Sequence, residues 1–185
     1  MRVLLVSHAL APDHLGGVEL YTSNVGAELV RAGHEVAILT RRLTAEGAPA
    51  SVEVEARADG VRVHRLLAPP FRSHPSGMRD RARDALAMNV VRETRPDVVH
   101  VTHLMHHSPW LVSSMKRLGV PVALSLLDAF MLCPRAHLED TEGRPCAGPR
   151  GGHECLARCF AAEPARRRSL WIRRAELFEI GRAHV

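Results

Sequence analysis

The chain has 185 residues, the size of one ordinary domain, and 46% of them are apolar, enough to bury a core and too many for a disordered segment. No apolar run approaches the roughly 20 residues needed to span a bilayer as a helix. The formal charge of +5 is carried almost wholly by arginine, Lys116 being the single lysine, and an aromatic content of 4% is too low for a platform that stacks single-stranded nucleic acid.

The stretch from Arg2 to Ser7 is a short apolar run of the kind that forms a buried parallel strand. It is too short for the apolar part of a signal peptide, and Ser7 and His8 interrupt it, so a cytoplasmic protein is expected. A loop with Pro12, Gly16 and Gly17 follows. Val18, Tyr21, Val25, Leu29 and Ala32 then recur at helical spacing, with Gly33 at the C-terminal cap. Glu35 to Thr40 predicts the second strand, completing a βαβ unit with a right-handed crossover.

Arg41 to Ala58 carries weaker signals, with an irregular strand near Val52. Gly60 to Leu66 alternates like a strand, and Ala68 to Gly77 is a loop rich in Pro and Ser. A helix is expected over Arg79–Thr94, closed by Pro96, then a strand over Asp97–Val101. Ser108 caps a helix that runs to Leu118 with Pro109 at its first position, and Pro121–Leu126 predicts a further strand. Strands alternating with helices imply an α/β domain, a Rossmann-like parallel sheet flanked by helices. After Leu126 the periodicity stops. Leu127 to Phe160 is a long cysteine-bearing loop, and Arg166–Phe178 predicts a basic helix.

Four groups carry candidate chemistry. Gly16, Gly17 and Glu19 sit between the first strand and the first helix. Glycines there let backbone approach a ligand, and the helix start directs amide N–H groups and a positive dipole end at it, which suits a diphosphate; the alternative is a tight turn. This is not the G-x-G-x-x-G dinucleotide fingerprint, so a dehydrogenase is disfavoured. His100, His103, His106 and His107 lie at and beyond the end of the Asp97–Val101 strand, where open α/β sheets bind ligands; they can hydrogen-bond an acceptor or act as bases, or be plain loop residues.

All four cysteines, Cys133, Cys146, Cys155 and Cys159, fall in the loop after the last strand. Four thiolates suit a tetrahedral structural zinc, with His153 an alternative ligand; the C-x12-C interval is not a standard knuckle, and free or redox-labile thiols, a metal cluster or disulfides are the other readings. Asp128 can orient a substrate hydroxyl or cap the turn that follows it. The arginines at 166–168, 173 and 174 flank Leu170, Trp171 and Ile172, a pattern that suits peripheral contact with a membrane or packing on the domain itself.

Taken together, Met1–Glu19 with its Gly-Gly-Val-Glu, the Arg95–Leu104 strand and loop, and Val120–Arg135 with the trailing cysteines resemble the N-terminal domain of retaining glycosyltransferases of family 4, over residues 1–179. The resemblance implies a two-domain GT-B architecture. Its N-terminal half binds a glycan or glycolipid acceptor, and its C-terminal half binds a nucleotide-sugar donor. It implies retention of configuration, catalytic roles for Asp128 and His103, contact of Gly16, Gly17 and Glu19 with the donor diphosphate, and no catalytic metal.

Two departures stand out. The family often has His-Asp where this chain has Leu127 and Asp128, and leucine neither hydrogen-bonds nor titrates; an aromatic residue is also replaced by Ala129. No donor-binding half is present, so transferase activity is not expected of residues 1–185 alone. Residues 179–185 read like a translated sequencing adapter, which would end the native domain at Phe178. A non-catalytic sugar or nucleotide-binding module is the second reading. A zinc-bearing nucleic-acid module is the third, and nucleic acid is not the expected partner.

Overall fold

The computed structural model describes residues 1–69, 80–108, 110–133, 136–148, 150 and 154–159. The expected basic helix at 166–178, the tail at 179–185, His153 and Pro109 lie outside these residues. The chain divides into two compact units, Met1–Phe71 with Arg79–Leu127, and Arg72–Met78 with Asp128–Val185.

The first unit is built on β1 (Arg2–Val6), α1 (Gly17–Arg31), β2 (Glu35–Leu43), β3 (Ser51–Ala56), β4 (Arg62–Ala68), α2 (Arg81–Thr94), β5 (Val98–Val101), α3 (Trp110–Arg117) and β6 (Val122–Leu124). The sheet order is β3-β4-β2-β1-β5-β6. β4, β2, β1, β5 and β6 are parallel, and β3 runs antiparallel along β4. The sheet is therefore mixed rather than wholly parallel. The cause is local: β3 and β4 are joined by a tight turn in which Arg57 N–H donates to Val61 O, and Gly60 takes a φ of 84°. So short a connection returns the chain antiparallel.

Successive strand residues face opposite sides. Val3, Leu5, Val36, Ile38, Val61 and Val63 form a buried cluster on one face, packed by Val25, Leu29 and Val30 of α1. Leu4, Val6 and Leu39 are fully buried on the other, where α2 packs on β1, β2 and β4 and α3 packs on α2. Each such side chain contributes about 1.5–3 kcal/mol by leaving water.

The helix ends follow local chemistry. After α1, His34 N–H donates to Leu29 O and Gly33 N–H to Val30 O with Gly33 at φ 82°, a Schellman ending. α2 starts at Arg81 rather than Arg79 because Asp80 caps it, accepting from Ala82 and Arg83 N–H at 3.1 Å. Ser108 accepts from Trp110 N–H at 3.3 Å, as expected of an N-cap. β6 is shorter than Pro121–Leu126, and as an edge strand it leaves Leu124 48% exposed.

In the second unit, Asp140 N–H donates to Arg144 O and Cys146 N–H to Leu138 O, making a small hairpin with Glu139 bridged to Pro145. The Asp140 carboxylate accepts from Glu142 N–H, Arg144 N–H and Arg144 Nε, which holds it down to about 2. A helical turn over Cys155–Cys159 is tied to the hairpin by Thr141 Oγ1, which donates to Arg158 O.

Candidate functional site

β1 leads to α1 and β2 on one side, while β5 lies on its other side, so the strand order reverses between β1 and β5. A crevice outside the carboxyl ends of strands at such a point is the usual ligand site of open α/β sheets. Ser7 and His8 leave the end of β1, and Thr102 and His103 leave the end of β5.

The two strand ends are stitched together. Thr102 Oγ1 donates to Val6 O at 3.0 Å and lies 2.8 Å from Thr22 Oγ1 of α1. His107 is fully buried and its Nε2–H donates to Ser7 O at 2.8 Å. Burial pushes the His107 imidazole down to about 3, so the ring is neutral. Arg41, buried in β2, donates to His106 O, where the backbone takes a φ of 64°, and to Pro69 O at 3.3 Å. Burial and the neighbouring Arg83 lower the Arg41 guanidinium to about 10.

His8, His14, Glu19 and His103 gather at this edge. Glu19 stands in the first turn of α1 and is 2% exposed. Its Oε1 lies 3.0 Å from His8 Nε2 and 3.1 Å from His14 Nδ1. A carboxylate only accepts, so each of these ring nitrogens donates. The His8 and His103 rings meet at a tilt of 50° with centroids 4.4 Å apart. Burial, then His103, push His8 down to about 4. His103 Nδ1 accepts from Met105 N–H at 3.0 Å, which fixes its ring. The loop between β1 and α1 is anchored by Asp13, which accepts from Arg42 Nε at 2.9 Å and Arg65 Nε at 3.1 Å.

The two glycines differ. A Cβ at Gly16 would stand 2.6 Å from Glu19 Oε2, so Gly16 is small to let that carboxylate fold over it. A Cβ at Gly17 would meet nothing within 4 Å, so the first turn of α1 is open to a ligand there. Among the described residues, no side chain caps the start of α1.

Among the histidines expected to act, His103 reaches the site. His100 lies within β5, half-buried, with Nε2 2.8 Å from Ser125 Oγ and an edge contact to Tyr21. His107 and the His106 backbone serve the framework described above. His8 and His14 are not among the site residues expected from the sequence; their spacing ahead of Glu19 is the one signal that marks them. Asp128 is exposed, and its Oδ1 accepts from Phe130 N–H at 2.8 Å, the turn-capping geometry.

The cysteines share one neighbourhood, for the Cys155 thiol is pushed up by burial and then by Cys159, Cys146 and Cys133. Gly148 N–H donates to Cys146 Sγ at 3.4 Å. Among the described residues, however, the three metal-ligating side chains whose ligand atoms lie within 4.8 Å of one another are His8, His14 and Glu19. A hollow lined by Arg2, Glu35, Arg57 and Arg62 lies at the amino ends of the strands, away from His8, His14 and Glu19 at the carboxyl end of β1. Among the described residues, no helix is long and apolar enough to cross a membrane.

The model of the glycosyl transferase 4-like domain matches residues 16–175. No curated protein matches the sequence. Solved structures similar to this chain include a sucrose-phosphate synthase from Thermosynechococcus elongatus (18% identity, 66% of this chain and 31% of that one, TM-score 0.43). Another is the catalytic domain of starch synthase IV from Arabidopsis thaliana bound to ADP and acarbose (15%, 66% and 32%, 0.40). A third is an E. coli trehalose-6-phosphate protein bound with UDP-2-fluoro glucose (11%, 74% and 35%, 0.40). The chain thus spans about a third of the length of each.

Proposed function

Because the chain belongs to the family of glycosyl transferase 4-like domains, we propose that it forms the acceptor-side half of a GT-B enzyme that transfers a sugar, with retention, from a nucleotide-sugar donor to a glycan or glycolipid. The observation that carries this reading is the open first turn of α1 at Gly17, placed at the carboxyl end of β1 where the strand order reverses. Backbone N–H groups and the helix dipole there complement a diphosphate. His103, with its ring fixed by Met105 N–H, faces the same edge and can hydrogen-bond an acceptor hydroxyl. Asp128 is proposed to orient a substrate hydroxyl, as the family resemblance implies, and Leu127 leaves the position before it without a titratable group.

Most of the rate in such a transfer comes from stabilising the departing diphosphate. In this reading that term is supplied by the donor-binding half of the GT-B fold. The test is release of nucleoside diphosphate from UDP-, ADP- and GDP-sugars. Residues 1–185 alone are expected to release none, and the polypeptide joined to its donor-binding half is expected to turn over. Turnover by residues 1–185 overturns the division of labour. Saturable sugar binding without turnover by the joined polypeptide overturns the enzyme reading and leaves a binding module.

The cysteines carry a separate structural proposal. Four thiols match the number and softness of a tetrahedral zinc site, although among the described residues no three of their sulfurs lie within 4.8 Å of one another and metal would have to draw them together; the Gly148 N–H on Cys146 Sγ is the kind of contact that steadies a thiolate ligand. Zinc would there brace the hairpin against the helical turn. Protein purified without chelator is expected to carry close to one equivalent; less than about 0.2 overturns the site.

A further inference from the structure

We propose that His8, His14 and Glu19 form a binding site for a divalent transition-metal ion at the carboxyl end of β1. The donor set is two imidazoles and one carboxylate, which suits Zn²⁺, Co²⁺ or Ni²⁺ and leaves coordination positions for water or an anionic oxygen. Around such an ion, with bonds of roughly 2.0–2.2 Å, neighbouring ligand atoms stand roughly 3–4 Å apart. Here Glu19 Oε1 is 3.0 Å from His8 Nε2 and 3.1 Å from His14 Nδ1, and all three ligand atoms lie within 4.8 Å of one another. Small rotations of the rings therefore admit an ion without moving the backbone.

Charge supplies the driving force. Glu19 is 2% exposed, and among the described residues its ion-pair partners are the two histidines, with no arginine or lysine. A buried carboxylate is costly unless a cation compensates it. The start of α1 offsets part of this cost, since its dipole favours negative charge. A bound dication would offset the rest. The His8 side chain is 10% exposed and packed against His103, which holds it in place for coordination, while His14 is 62% exposed and gives the ion a way in. Gly16 also belongs to the site, because any side chain there would displace the Glu19 carboxylate.

The proposal stands whether or not the protein transfers sugars, because the test reads metal and not turnover. Co²⁺ is titrated into the metal-stripped 185-residue protein, followed by visible absorption, alongside His14→Ala and Glu19→Gln. The expected result is one equivalent whose ligand-field bands report nitrogen and oxygen ligation, distinct from any equivalent that the cysteines take up with thiolate charge transfer. His14→Ala is expected to weaken binding at least tenfold with an unchanged far-ultraviolet circular dichroism spectrum. Thiolate charge transfer belongs to the cysteines, and the nitrogen and oxygen bands that remain beside it, lost in His14→Ala, support the site. Thiolate bands alone, equal affinity in wild type and His14→Ala, or no saturation below millimolar Co²⁺ each overturn the site. His14 is on the surface, so that variant decides the matter even if Glu19→Gln does not fold.

Discussion

At Gly16 an added methyl would press on Glu19 Oε2, and that carboxylate is held in place by His8 and His14. Gly16→Ala is therefore expected to cost about 1–3 kcal/mol in urea unfolding, the range for disturbing a buried hydrogen-bonded charge. Gly17→Ala meets open space and should change stability by no more than about 0.5 kcal/mol. If the proposed function is right, the same Gly17→Ala weakens calorimetric binding of a nucleotide-sugar to the joined polypeptide, because the methyl stands between the backbone and the diphosphate. Equal losses of stability at both positions would show that the Glu19 contact is not what keeps Gly16 small. The pair Gly16-Gly17 was legible in the sequence as a place of close approach. Its split into one packed and one open glycine was not, because Glu19 is turned by partners on the preceding loop.

The element boundaries were legible at Ser108 and at the Gly33 ending, whose caps act within a few residues of the helices they bound. The start of α2 was not, because its cap is Asp80 and the sequence reading began that helix at Arg79. Asp80→Ala is expected to lower stability by about 1 kcal/mol, read as a drop in Tm, since two N–H groups at the start of α2 lose their acceptor. An unchanged Tm would mean that water replaces the cap without cost. β3 and β6 were less legible. Residues 51–56 form a strand because β4 offers an edge across a short turn, and β6 stops at Leu124 because its outer edge has no neighbour among the described residues. Both outcomes depend on pairing, which propensity alone does not encode.

Across the whole molecule, buried histidines make stability depend on pH. His107 is lowered from 6.5 to about 3 by burial, and His64, fully buried in β4 with neither ring nitrogen hydrogen-bonded among the described residues, is lowered by burial as well. Below pH 6.5 the unfolded chain takes up protons that the folded chain refuses. Stability from these rings is therefore complete above pH 6.5 and is lost as pH falls toward 3. Tm is expected to fall between pH 7.5 and pH 5, and the fall should be smaller in His107→Gln, which keeps an N–H for Ser7 O. A pH-independent Tm would mean the buried rings accept protons without penalty. The sequence by itself determined the order of strands and helices, the caps at Gly33 and Ser108 and the glycine turn after β1, because apolar period, capping and turn chemistry act over a few residues. Only the tertiary structure decided which histidines matter: β5 lies beside β1 although about 95 residues separate them, and that adjacency brings His103 onto His8 while burying His107 in the framework. The cause is the crossover that covers both sheet faces, a packing requirement of the whole sheet that no local pattern carries.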